Sequence, residues 1–162
     1  GSPILIEGIH ALNDRLTNLI PAHQKFKIFI APQTQIHIDD HNPISLTDVR
    51  MLRRMVRDQK YRSTPVTMTM DMWPSVRRGE FKWIYPHQEN VNYVYNSELT
   101  YELSVLKKYA MPHLLQISRD DAHFIVANRL VKFLKYFKEI DEKLIPSNSL
   151  LLEFIGGSPF HD

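Results

Sequence analysis

The sequence contains no cysteine among its 162 residues. Disulfide bonds and thiolate metal sites are therefore excluded, and the composition fits a reducing, cytoplasmic setting. Glycine is also scarce, with five residues, and none of the five precedes a lysine. The phosphate-binding motif G-x-x-x-x-G-K-[ST] is thus absent, and these residues cannot form a glycine-rich phosphate cradle.

Long apolar runs and a strong net charge are missing as well. No run approaches the ~18 apolar residues that span a bilayer, so we expect no membrane partner. The formal net charge is only +2, so the field of the whole protein indicates little about its ligands. The hydrophobic fraction of 43% is ordinary for a soluble domain with a buried core.

Strand and helix patterns alternate along the chain. Short apolar runs predict strands buried on both faces, as in a parallel sheet, at residues 4–6 and 26–31. Residues 93–95 are a third candidate strand. Apolar spacing and capping residues predict helices at residues 9–20, 45–61, 97–109 and 118–140. The alternation predicts an α/β protein, with a small parallel sheet flanked by helices and a helical C-terminal region at about 97–162.

Three stretches do not fit this alternation. Residues 32–44 are largely polar and include Pro32 and Pro43, so we expect a loop there. Residues 62–75 are rich in Ser, Thr, Met and Pro and show no firm pattern. Residues 150–155 form a short apolar segment that is either helix or strand.

The beginning of the chain indicates a piece of a longer protein. Gly1 and Ser2 have the composition of a cloning scar, and the first predicted strand follows at once. A sheet of three strands would also leave open edges. We therefore expect residues 3–162 to be the C-terminal part of a larger domain.

The helix predicted at residues 45–61 carries four arginines on one side. At 100° per residue, Arg50, Arg53, Arg54 and Arg57 fall within an arc of about 100°. The opposite side is apolar, with Val49, Met51, Leu52, Met55 and Val56. We expect the apolar side to pack and the arginines to face solvent or a common cavity.

Two interpretations of this arginine face are open. It could be a solvated charged surface, which is the commoner case. However, like charges three and four residues apart repel each other, and no glutamate is interleaved among them. Every basic residue of the stretch is arginine, whose guanidinium forks onto phosphate oxygens. The composition therefore favours a polyphosphate or nucleic-acid ligand.

Three motifs resemble the uridine kinase/phosphoribulokinase family of P-loop nucleoside kinases. Residues 48–58 (DVRMLRRMVRD) are similar to the family's lid-helix motif D-x-R-x-x-R-R-x-x-R-D. Residues 4–9 (ILIEGI) resemble a strand that ends in Glu-Gly, and Pro86 with residues 91–95 (VNYVY) resembles the last core strand. The three motifs stand in the family's order.

A bacterial branch of this family is similar over nearly the whole chain. The similarity rests on residues 38–42 (IDDHN), 72–80 (MWPSVRRGE) and 153–158 (EFIGGS). In that branch the kinase follows an N-terminal region resembling part of threonyl-tRNA synthetase. The resemblance implies a three-layer P-loop kinase-like fold, present here only in part, with a lid region at about 45–85.

The resemblance also implies roles for single residues. Glu7 matches the family's acid near the magnesium ion, and Mg²⁺ is commonly held by few carboxylates together with phosphates and water. Arg54, Arg57 and Arg62 match catalytic lid arginines that reach nucleotide phosphates.

Cofactor binding is implied on the same helix. We expect Arg50, Arg53 and Arg57 to bind the phosphates of ATP. The cofactors implied for the complete enzyme are therefore ATP and Mg²⁺. The segment from Arg62 to Ser75 is expected to be a mobile lid that closes on the ligand.

The implied activity is transfer of the ATP γ-phosphate to a nucleoside hydroxyl of the uridine or cytidine kind. Its partners are a nucleoside, ATP and the remainder of the parent kinase chain, and the protein could form homo-oligomers. Residues 62–64 read Arg-Ser-Thr where typical members have Arg-Gly-Arg, which leaves the phosphoryl acceptor open. The phosphate loop and the family's catalytic aspartate are missing, so we expect this chain alone to be inactive.

The alternative function is a non-catalytic module that binds a nucleotide or RNA through the arginine helix. Salt-sensitive RNA binding without nucleotide turnover in the parent protein would favour it.

Two other clusters have weaker functional interpretations. Residues 37–41 (HIDDH) could hold a metal, although turn formation by the two aspartates is the commoner case. Arg77 and Arg78 lie near Trp73 and Trp83, a mixture seen in nucleic-acid sites as well as in cores. His10, just after the Glu-Gly motif, could face a site or serve the structure.

Overall fold

The computed structural model describes residues 1–160, and they form a mixed α/β protein, as the alternation predicts. The strands are β1 Ile28–Ala31, β2 His37–Asp39, β3 Asn42–Pro43 and β4 Tyr93–Asn96. The helices are α1 Leu46–Arg62, α2 Val66–Gly79, α3 Glu102–Leu115, α4 Phe124–Leu134 and α5 Leu152–Ile155. Within residues 1–160, no helix combines the length and the apolar character needed to cross a membrane.

The chain divides into two compact units. The first contains residues 1–31 and 74–96, and the second contains residues 32–73 and 97–162. The division falls inside α2, between Trp73 and Pro74.

The first unit contains a parallel pair of strands. β1 and β4 are in register from Ile28 opposite Tyr93 to Ala31 opposite Asn96. Along β1 burial alternates, with Phe29 and Ala31 buried and the two isoleucines exposed. The prediction that this strand is buried on both faces is therefore wrong, because a sheet of only two strands leaves one of its faces uncovered.

The predictions for the first 20 residues are also wrong. Residues 1–7 have no regular structure, and Ile4 and Leu5 are 87% and 90% exposed. A short apolar run becomes a strand only when a neighbouring strand pairs with it. In place of the predicted helix there is a single 3-10 turn, in which the Asn13 side chain accepts the Arg15 amide.

The second unit is built around α1. This helix packs against α3 and α5, and α3 in turn packs against α4. The fully buried side chains at these contacts are Val49, Leu52, Met55, Leu103, Leu106, Leu130 and Leu134. Ser45 caps α1, since its hydroxyl accepts the Asp48 amide at 3.4 Å. Ser63 ends α1 in the left-handed conformation.

The remaining helices differ from the predictions mainly at their boundaries. α3 begins at Glu102 instead of residue 97, because Ser97 is occupied by a hydrogen bond from Arg53 and the Leu99 amide binds the Glu102 carboxylate. α4 is shorter than predicted, and its buried residues are Ala127, Leu130, Val131, Phe133 and Leu134. Residues 152–155 resolve the last ambiguity in favour of a helix, α5.

α2 is the element that the sequence prediction missed. Its buried residues Val66, Thr69, Met70 and Trp73 follow the i, i+3, i+4, i+7 spacing of an amphipathic helix. The spacing is present in the sequence, although threonine and proline obscure it. The segment expected to be a mobile lid is thus largely helical.

The predicted loop at 32–44 likewise contains the antiparallel pair β2–β3.

A histidine links α2 to the N-terminus of α4. The His123 ring bonds Asp71 through Nε2 at 2.8 Å and Asp121 through Nδ1 at 2.7 Å. The hydrogen bond with Asp71, followed by that with Asp121, raises the pKa of His123 above its usual value.

This histidine bridge should make stability depend on pH. When folding raises the pKa of a histidine, its full contribution to the stability of the fold is present below the pKa of the unfolded state, about 6.5. That contribution is lost as the pH rises through the pKa of the folded state. We expect His123→Gln to lower the melting temperature at about pH 6 and to have progressively less effect towards about pH 9. His23→Gln, at an exposed position, is the control. A melting difference that does not change with pH would contradict the role of the bridge.

Candidate functional site

Arg53 does not share the open face expected for the four arginines of α1. Its side chain is only 9% exposed and forms a two-pronged ion pair with Glu102, whose side chain is 1% exposed. Nε donates to Oε1 at 3.0 Å, and Nη2 bonds both Oε2 and the Ser97 carbonyl. The guanidinium carbon also lies 5.2 Å from the Phe154 ring centre.

These contacts correct the expectation for Arg53. The residue holds α1 against the start of α3, and its donors are directed into the protein. Arg53 is therefore not available to bind a phosphate ligand. The physical reason is Glu102, which lies 49 residues away in the sequence and whose charge requires a buried partner.

Three other arginines surround a single buried carboxylate. Asp58 is 1% exposed, and its Oδ1 accepts from Arg57 Nε at 3.0 Å, Arg57 Nη2 at 2.9 Å and Arg62 Nη1 at 3.2 Å. Arg54 Nε lies 3.2 Å from Oδ2 of the same carboxylate. We call Arg54, Arg57 and Arg62 the arginine cluster.

The arginine cluster keeps an excess of positive charge at the surface. Three guanidiniums face one carboxylate, so Asp58 can neutralise only one of the three charges. The side chains are 26%, 34% and 61% exposed for Arg54, Arg57 and Arg62. Although no glutamate is interleaved among the arginines, Asp58 neutralises part of their charge. Asp58 stands four residues from both Arg54 and Arg62, so its pairing could have been found from helical spacing.

The geometry suits a multiply charged anion. Hydrogen bonds to Asp58 fix the guanidiniums of Arg57 and Arg62 in place before a ligand arrives, which reduces the entropy lost on binding. Arg54 is held near the same carboxylate by its opposite charge. Each guanidinium is planar with several donors, and such groups bind phosphate oxygens in pairs. A ligand with several phosphate oxygens could therefore contact more than one member of the arginine cluster.

The other site residues predicted from the sequence lie outside the arginine cluster. Arg50 is half-buried on α1, and Glu7 is exposed in a segment of the first unit without regular structure. The Asp39 carboxylate accepts the amides of His41 and Asn42, and these bonds lower the Asp39 pKa. Within residues 1–160, no group of three or more histidines and carboxylates could hold a metal ion.

A further ion pair of α1, with Arg129 of α4, was also missed from the sequence. Asp48, buried in the first turn, binds the Arg129 guanidinium through both carboxylate oxygens. The pair joins α1 to α4, so it positions the helix that carries the arginine cluster. The two residues are 81 positions apart, and nothing in the local sequence of either one indicates the contact.

No family model matches the chain, and neither does a curated protein or a solved structure. The charges and contacts described above are therefore the basis for a functional conclusion.

Proposed function

We propose that this chain is the lid-bearing part of an ATP-dependent nucleoside kinase, and that its arginine cluster binds nucleotide phosphates. The observation that carries the proposal is the set of three guanidiniums paired with one buried carboxylate. Phosphoryl transfer depends mainly on positioning and on stabilising the charge of the transferred group. Arginines that are fixed in place and still partly exposed are suited to both tasks.

The remainder of the parent kinase chain is the partner that this proposal requires. The chain has no glycine-rich phosphate loop, so other residues must hold most of the ATP phosphates. The parallel pair β1–β4 also supports a missing partner, since parallel sheets are normally covered on both faces and contain more strands. We propose a P-loop kinase-like three-layer fold for the complete domain.

Glu7 and Mg²⁺ belong to the same proposal. Glu7 provides one exposed carboxylate, and the described residues offer no three-ligand cluster. Mg²⁺ is usually held by one or two carboxylates with substrate phosphates and water, so a single glutamate fits this ion. The ion would neutralise phosphate charge.

Calorimetric titration of this chain with inorganic tripolyphosphate tests the anion site directly. We expect saturable binding at low salt, weakened about tenfold by Arg57→Ala and by Arg62→Ala, because each removes one charge-assisted contact. Arg119→Ala is the matched control, since Arg119 is exposed in the turn before α4, outside the arginine cluster. Equal losses of affinity in all three variants would mean that tripolyphosphate binding depends only on the net charge of the protein.

A further inference from the structure

The segment after α2 combines exposed aromatic rings with basic side chains. α2 ends at Gly79, and the backbone continues as a wide π-helical turn at Glu80–Ile84. Phe81 is 62% exposed in this turn and Trp83 is 44% exposed. π-helical turns are rare and occur often at functional sites. We call residues 77–85 the aromatic turn.

The Phe81 side of the aromatic turn is held by Arg77. The guanidinium carbon lies 4.7 Å from the Phe81 ring centre and 6.0 Å from the Tyr85 ring centre. Arg77 Nη1 bonds the buried Glu80 carboxylate at 2.5 Å, and Phe81 meets Tyr85 edge to face at 5.3 Å. These contacts fix an exposed ring and neutralise the one carboxylate of the aromatic turn.

The Trp83 side is also organised around a cation. Lys82 Nζ lies 4.7 Å from the Trp83 ring centre, and the His10 ring approaches the same indole edge to face at 5.9 Å. Lys82 and Arg78 are exposed. Because Glu80 is paired with Arg77, these two side chains give the aromatic turn a net positive charge.

We propose that the aromatic turn binds single-stranded nucleic acid, with bases stacked on Phe81 and Trp83 and phosphates contacted by Arg78 and Lys82. Exposed rings with neighbouring cations are the features by which proteins hold unpaired strands. The bases of a duplex present no free face to such rings. Residues two apart on a helical turn point in different directions, so the two rings suit successive parts of a strand better than one mononucleotide.

Fluorescence anisotropy with labelled oligouridylate and oligothymidylate of about 12 nucleotides tests the proposal on this chain. We expect saturable binding at low salt, weakened about five- to a hundredfold by Phe81→Ala and by Trp83→Ala. Lys82→Ala should reduce the slope of log affinity against log salt by about 0.7, because it removes one phosphate contact. Comparing the two oligonucleotides shows whether RNA or DNA is preferred.

The controls separate this site from the arginine cluster. Tyr136→Ala removes an exposed ring from the second unit and should leave oligonucleotide binding unchanged, as should Arg57→Ala. Trp83→Ala should leave tripolyphosphate binding unchanged, so the two proposals can fail separately. Because Phe81 and Trp83 are exposed, both variants should keep the wild-type circular dichroism spectrum. If one of them unfolds, the oligonucleotide affinities of the other ring variant and of Lys82→Ala test the proposal.

Two results would overturn the proposal. One is a wild-type protein that binds neither oligonucleotide at low salt. The other is equal affinity for the wild type and both ring variants, which would assign the binding to charge elsewhere on the chain.

Discussion

Replacing Arg53 with methionine should lower the free energy of unfolding by about 3–5 kcal/mol, as expected when one partner of a buried ion pair is removed. The Glu102 side chain, 1% exposed, would then keep a buried negative charge without its two-pronged partner. Urea denaturation followed by circular dichroism measures the change. Arg119→Ala, at an exposed position, should change stability by less than about 0.5 kcal/mol.

A double variant distinguishes the ion pair from simple loss of packing. Arg53→Met combined with Glu102→Leu removes both charges, so it should recover most of the stability lost by the single variant. Some loss should persist, because the Leu99 amide also donates to Glu102. A double variant less stable than Arg53→Met would show that the unpaired carboxylate is not the source of the loss.

In the complete kinase that we propose, Arg57→Ala should lower kcat/KM by about 10²-fold or more. Removing one preorganised donor to the transition state costs about 2.7–4 kcal/mol. Arg57→Lys should restore little, because an ammonium is a point charge and cannot fork onto two oxygens. Steady-state kinetics with ATP and a nucleoside panel measure both effects.

Arg53 and Arg57 should affect different properties of the protein, Arg53 its stability and Arg57 its activity. Arg57 is 34% exposed, and Asp58 keeps Arg54 and Arg62 as partners when Arg57 is removed. Arg57→Ala should therefore reduce activity with a smaller loss of stability than Arg53→Met. Arg53→Met should reduce activity only as far as it unfolds the protein. If Arg57→Ala, Arg62→Ala and Arg119→Ala all cause similar small losses of kcat/KM, the arginine cluster is only a solvated surface.

The predictions from sequence succeeded where structure is local. α1 was predicted almost to its boundaries, because Ser45 caps it and its apolar residues recur with helical spacing. β1 and β4 were also predicted from short apolar runs. Local signals failed at residues 4–6, where the same kind of run has no neighbouring strand to pair with.

The amino-acid sequence by itself determined that α1 would form and that one of its sides would be rich in arginine. Only the tertiary structure decided which arginine is buried and which are partly exposed. Arg53 and Arg57 are one helical turn apart and look alike in the sequence. Glu102, distant in the chain, draws Arg53 into the core, while Asp58 holds Arg57 at the surface. A buried charge needs an opposite charge beside it, and only the folded chain brings Glu102 to Arg53.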